Sequence, residues 1–314
     1  MNRSLQSSCT FILLAGLLTS SPTVAEPPQK AQDITLHFLV HVPKQGPKES
    51  DTLYATRRKK THDELRTRVL YRYKTAHTHN AKATIKPSGR MTVTLLSTHS
   101  PQFLQAVTLG KGNLNIHQEL DQSSLWESLL DPTSGAQSML PKTIQVRDSD
   151  VHGLYLQSND PAALKKFIDK LITPDDSQLR LVRDTAPGSW RTIWLGKPLL
   201  ADKMITRTSL DSSPQTGASF GQIQWSEDGL QRWQQLKEEA THPLVLAIDH
   251  EPITTIHRPE LAGIASGLHT PTSSQLTFGC DAIWTGQHNQ EECITLVMAR
   301  ASAPIPLKIV PFDK

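Results

Sequence analysis

Thirteen histidines make metal binding and acid–base catalysis the first chemistries to weigh. His77 and His79 could set two imidazoles on one side of an extended segment, but catalytic zinc needs three protein ligands and no third stands nearby in sequence. His250-Glu251 lacks the second histidine of a helical HExxH motif, and Pro252 prevents a helix there. Ser209, Asp249 and His250 are the residue types of a hydrolytic triad, without a GxSxG elbow or an oxyanion loop beside them. Gly-rich phosphate loops are missing too. The expectation is a non-enzyme with no catalytic residue, metal or cofactor, and a hydrolase is the weakest alternative.

Three other groups of residues point to binding. Cys280 and Cys293 form an even pair once Cys9 is set aside with the leader described below, so a disulfide is expected in an oxidising compartment, against two buried or free thiols. Arg57, Arg58, Lys59 and Lys60 run consecutively, and Arg66, Arg68, Arg72 and Lys74 follow against only Asp63 and Glu64. Such a basic patch suits peripheral contact with anionic lipid headgroups, or only keeps a helix face solvated. Trp190, Trp194 and Trp284 are not explained by a helical apolar stripe, which makes them candidates for gripping polypeptide, or ordinary core and rim residues; Trp233 reads as core.

The elements that must position these residues are legible from length and pattern. The chain has 314 residues, 37% hydrophobic and 20% charged, which suits a globular protein of one large or two modest domains. Thirty-three Lys and Arg against 30 Asp and Glu leave +3, too little to argue for nucleic acid. Arg3, the apolar FILLAGLL of Phe11 to Leu18 and the small exit Thr23-Val24-Ala25 read as a cleavable secretory signal over 1–25, which places the mature protein in the periplasm. The period of two in Ile34 to Val42 marks a strand. Thr61 to Lys74 repeats Leu65, Val69 and Tyr73 at four-residue steps, a helix with Thr61 as N-cap, preceded by a polar loop. Strands over 81–86 and 91–96 flank Pro87-Ser88-Gly89, a helix opens at Ser100-Pro101, and Leu114 to Leu120 is a strand. That order is the split βαβ, ferredoxin-like unit. After a less readable stretch come strands at 190–195, 204–209 and 220–225, a helix capped by Ser226, the apolar strand Pro243 to Asp249, strands at 251–256 and 275–278, a helix over 291–301 and a last strand over 307–311.

Several of these segments resemble the first periplasmic domain of SecD, a subunit of bacterial protein export. The motifs are MITRTSL from Met204, the helix with Glu227-Asp228-Gly229, His242-Pro243-Leu244 with Ala247 to Asp249, and Ala303-Pro304-Ile305-Pro306-Leu307. DELRTRV from Asp63 and the turn Leu109-Gly110-Lys111 look like the base of the same domain. The expected fold is therefore α+β, ferredoxin-like split βαβ modules with antiparallel sheets: a base over 32–122, a connecting segment over 123–189 and a head over 190–314. The membrane part of that family has no counterpart here, and the Asp-Leu-x-Gly-Gly segment typical of its start is not recognisable near Ile34. The resemblance implies a periplasmic accessory protein that binds unfolded or emerging polypeptide, or an envelope partner such as the export machinery, in export or its late folding stage, without proton-driven activity of its own. The rival reading is a structural or adaptor protein that kept the fold alone.

Overall fold

The computed structural model describes residues 30–131, 140–150, 152–171, 173, 176–184, 188–214, 217–239, 241–256, 275–280 and 290–312. The expected leader with Cys9, and Trp284, lie outside the described residues. The chain is α+β, and all strand pairs among the described residues are antiparallel.

The first sheet contains β1 (Gln32–His41), β2 (His79–Ile85), β3 (Arg90–Ser97) and β14 (Lys308–Pro311), in the order β14-β1-β3-β2. The β2–β3 hairpin turns at Gly89, whose φ of +83° is open to glycine at little cost. Helices α1 (Asp51–Thr75) and α2 (Pro101–Thr108) bury Leu65, Val69, Tyr73, Phe103, Leu104 and Val107 against Leu36, Phe38, Val40, Met91 and Val93. Ser50 and Ser100 cap the two helices, each hydroxyl accepting the N–H three residues on. Two expectations change here. Helix α1 starts ten residues before Thr61, because 51–60 contain no Gly or Pro to stop it; the Thr61 hydroxyl donates instead to the Arg57 carbonyl. The outer strand beside β1 is β14, from the end of the chain, and not β4 (Leu114–Leu120).

Strand β4 joins the largest sheet, ordered β12-β11-β4-β8-β6-β5, with β7 also paired to β8. Its members are β5 (Ile144–Ser149), β6 (Gly153–Ser158), β7 (Gln178–Arg183), β8 (Trp190–Leu200), β11 (Leu244–Ile248) and β12 (Glu251–Ile256). Helices α3 (Ser123–Leu130) and α4 (Pro161–Ile168) cover one end of it, around Trp126, Leu156 and Leu164. A three-stranded sheet, β13-β10-β9, is made by β9 (Ile205–Ser212), β10 (Ser219–Trp225) and β13 (Gln275–Phe278). It shares a core with β11, α5 (Glu227–Glu239) and α6 (Gln290–Ser302), where Trp225 and Trp233 stack at 5.5 Å and Trp233 is fully buried. Gly221 and Gly229 permit close approach: a Cβ on the first would meet Phe278 and Met298, and on the second the Met204 carbonyl. Cys280 and Cys293 are joined by a disulfide with Cα atoms 6.1 Å apart, tying the end of β13 to α6. Among the described residues no helix is long and apolar enough to cross a membrane.

Candidate functional site

Two of the segments that carry the sequence resemblance, the Leu109-Gly110-Lys111 turn and the stretch from Ala303, meet at one side chain, Arg72. It lies on the apolar stripe of α1 with Leu65, Val69 and Tyr73, and it is fully buried. Its guanidinium donates to five main-chain carbonyls: Nε to Ala303 at 2.9 Å, Nη1 to Val107, Thr108 and Gly110 at 3.1–3.2 Å, and Nη2 to Lys111 at 2.9 Å. The planar fork of five donors makes this possible, and an ammonium could not copy it. The Leu109-Gly110-Lys111 turn is also held by the Ile305 N–H, which donates to the Lys111 carbonyl at 2.7 Å.

Asp249 closes the same hub from the other side. It is the first residue of the two-residue turn between β11 and β12, where Asp249 and His250 have φ of +51° and +69°, unusual for residues other than Gly and Asn. The carboxylate offsets that strain by accepting from the N–H groups of Gly112 and Asn113 at 2.9–3.0 Å, while the Asp249 N–H donates to the Asn113 carbonyl. Arg300 on α6 donates to the Ala106 carbonyl. Burial, with repulsion from Arg300, lowers the Arg72 guanidinium to about 9, and burial lowers Arg300 to about 10; the Asp249 charge works against both shifts. Gly110 and Gly112 have φ of +83° and +86°, and a Cβ on Gly112 would run into the Arg300 carbonyl. The hub thus fixes α1, α6, the 109–113 turn and the β11–β12 hairpin relative to one another.

Beside the hub lies a groove of about 520 Å³. Tyr71 and Thr75 of α1 form one wall, Leu114, Met298, Ala301 and Ser302 the floor, and six successive residues of β9, Ile205 to Leu210, the other wall. Strand β9 is an edge: it pairs with β10 and, among the described residues, with nothing on its far side. Tyr71 is 52% exposed, large for an aromatic ring without a partner. Leu114 and Met298 beneath it are almost fully buried, so the groove offers chiefly main-chain hydrogen-bonding groups, polar side chains and the exposed Tyr71 ring.

The expected site residues are distributed otherwise. Trp190 and Trp194 lie half-buried on one face of β8, packed on the core of Trp126, Leu156 and Leu164, and neither lines the groove. Arg72 leaves the basic patch for the interior. Arg57, Arg58, Lys59 and Lys60 stand on the half of α1, residues 51–64, that buries no side chain. Arg57 is clamped by Glu49 through two bonds of 2.8 Å, which lowers that carboxylate to about 2, and Arg66 lies 3.5 Å from Asp63. Of the paper triad, Asp249 is committed to main-chain amides and Ser209 Oγ lies 3.5 Å from Gln222 Oε1. A second buried cluster joins β4 to β8: Glu119 Oε1 sits 2.7 Å from Arg191 and 3.1 Å from His152. Burial pushes the Glu119 carboxyl up, and the His152 and Arg191 contacts outweigh it, so the net shift is downward. No group of three or more His, Cys, Asp or Glu suited to a metal occurs among the described residues. The sequence reading missed the role of Arg72, although a charged residue in phase with an apolar stripe is a signal for it, and missed that β9 is an edge, which no local pattern reports.

No family model matches the chain, and no curated protein matches it. Solved structures of SecDF are similar in outline. A crystal structure of SecDF in its super-membrane-facing form aligns with 92% of this chain at 12% identity and a TM-score of 0.44. A structure described as a membrane component that enhances protein export aligns over 90% at 12% identity and 0.41, and the translocon-associated SecDF of Thermus thermophilus over 90% at 15% and 0.30. The chain spans 32% and 30% of the first and third of these and the whole of the second. They are the proteins that the sequence motifs resemble. At such scores, function has to be argued from the chain's own residues.

Proposed function

We propose that this chain is a periplasmic, non-enzymatic accessory protein that binds unfolded or emerging polypeptide during protein export or the folding that follows it. One observation carries this reading: a groove one wall of which is a strand edge that nothing among the described residues pairs with. Such a site accepts many sequences, because main-chain hydrogen bonds are independent of side-chain identity. The hub of Arg72, Asp249 and Arg300 holds the floor and the α1 wall rigid, so the site is formed before a ligand arrives, which lowers the ordering cost of binding. The basic half of α1 supports a second contact, with an anionic membrane surface, that would keep the groove near chains leaving the membrane. An adaptor that kept only the fold has no use for an open groove of this kind.

The test is direct. A reduced, carboxymethylated and fluorescently labelled protein that cannot fold is titrated with the mature chain, and the same protein in its folded, oxidised form serves as the control. Saturable binding of the unfolded form alone is expected. Equal binding of both forms, or of neither, would overturn the reading.

A further inference from the structure

The pairing of β9 with β10 shows which atoms face the groove. Ser213 donates its N–H to the Ala218 carbonyl, so these two residues form a hydrogen-bonded pair of the antiparallel ladder. The same register runs on through Asp211 with Phe220, Ser209 with Gln222 and Arg207 with Gln224, up to an irregularity between Gln224 and Trp225. Hydrogen-bonded and non-hydrogen-bonded pairs alternate. Residues 207, 209 and 211 therefore turn their N–H and C=O toward β10, and Thr208, paired with Ile223, and Leu210, paired with Gly221, turn theirs to the free edge. Thr208 and Leu210 both line the groove, where their side chains follow the face of Gly221 and Ile223 toward α6.

Resting on the function proposed above, we infer that the groove takes its ligand by strand addition: an extended polypeptide segment pairs with the free edge of β9 through the main-chain groups of Thr208 and Leu210. The open edge from Ile205 to Leu210 is about 20 Å long at roughly 3.3 Å per residue, enough for six residues of an added strand. Side chains of such a strand alternate between two faces. One set turns into the groove, toward Tyr71, Thr75 and Ser302, and the other faces outward on the side of Arg207, Ser209, Gln222 and Gln224, where the sheet is polar. The occupant is thus an extended polypeptide segment recognised through its main chain, as a strand is before it has found its own sheet. Charge contributes little to this recognition, and binding is expected to be insensitive to moderate salt, unlike any contact of the basic helix half.

Thr208→Pro tests the pairing without disturbing β10. The lost N–H points to the free edge, and proline is tolerated on edge strands in that orientation. The probe is acetyl-Lys-Val-Thr-Val-Thr-Val-Thr-Lys-amide, beside the unfolded protein used above. Expected are binding of both by the native chain, at least tenfold weaker binding of both by Thr208→Pro with an unchanged thermal transition, and no binding of the peptide when every internal amide is N-methylated. The methylated peptide needs no variant, so the inference stays testable if Thr208→Pro fails to fold. Undiminished binding by a folded Thr208→Pro chain, or of the methylated peptide, would show recognition by side chains elsewhere and overturn strand addition while leaving polypeptide binding intact. Binding of neither probe by the native chain overturns the function itself. A native chain that sediments as a dimer and becomes monomeric in Thr208→Pro would make a second copy the occupant, and that too overturns the inference.

Discussion

Arg72 shows how far a single residue type constrains this protein. When the side chain is removed the Lys111 carbonyl keeps the Ile305 N–H, but the other four acceptors lose a buried donor, and each buried, unpaired acceptor costs about 1–3 kcal/mol. Arg72→Met should therefore lower unfolding free energy in urea by about 3 kcal/mol or more, and Arg72→Lys should restore only a minor part, because an ammonium cannot span the fork. Equal stability of the Lys variant and the native chain would contradict the hub. His117 makes a second prediction. Its Nδ1 lies 2.7 Å from the Gly196 carbonyl oxygen, which can only accept, so Nδ1 carries the proton and the buried Nε2 has no partner among the described residues. Burial lowers its pKa below the ordinary 6.5, and the neighbouring His250 and Arg180 add repulsion. Below 6.5 the unfolded chain then takes up the proton that the folded chain refuses, so stability falls with acidification from 6.5 down to the folded-state value. His62 and His99, lowered by burial as well, act in the same direction. His117→Asn keeps an N–H for Gly196 and does not titrate; its melting temperature should fall less steeply across that pH range than that of the native chain. These roles were partly legible in sequence: Arg72 is in phase with Leu65 and Val69, whereas nothing local distinguishes Asp249, whose partners are 136 and 137 residues away.

Elements were more readable than their partners. The hairpin at Gly89, the cap at Ser100, the strands β4 and β9 to β14 and the helices α5 and α6 all stand within a few residues of where periodicity and turn chemistry put them. Strand β5 and helix α3 escaped, since Ile144–Ser149 and Ser123–Leu130 are short and of mixed periodicity. The first half of α1 was read as a loop because its charges hide any stripe, and the structure explains why: that half buries no side chain fully. A helix there exposing Arg58, Lys59 and Lys60 should bind vesicles rich in anionic lipid at low salt and release them as salt rises, and charge reversal of the three should abolish binding. Absence of binding by the native chain at low salt would remove the membrane contact from the account. The Cys280–Cys293 bond acts on the element that closes the three-stranded sheet. Its loop of 13 positions lies in the range where cross-linking stabilises by about 3 kcal/mol, so reduction or Cys280→Ser with Cys293→Ser should lower stability by that amount, read by urea denaturation with and without reductant.

At the scale of the molecule, segments that the sequence assigns to separate modules share sheets. Strand β14, the last of the head, completes the first sheet beside β1, and β4, from the base, lies between β11 and β8. Such pairings join residues some 70 to 270 positions apart, beyond the reach of any local signal. Their consequence is functional: the groove is built from α1, β4, β9 and α6 together, and no contiguous piece of the chain contains it. The α+β class was legible from the alternation of periods, and the antiparallel sheets from the hairpins, but the site appears only when the ends of the chain meet.

The measurement that bears most directly on the whole account is site-specific photo-cross-linking from the groove. A photoreactive phenylalanine analogue replaces Tyr71, which is exposed on the α1 wall, and in a separate chain it replaces Lys166, on α4 and away from the groove. Illumination with the permanently unfolded protein should yield a covalent adduct from position 71 and none from position 166. Adducts of equal yield from both positions, or from 166 alone, would contradict a groove that holds polypeptide.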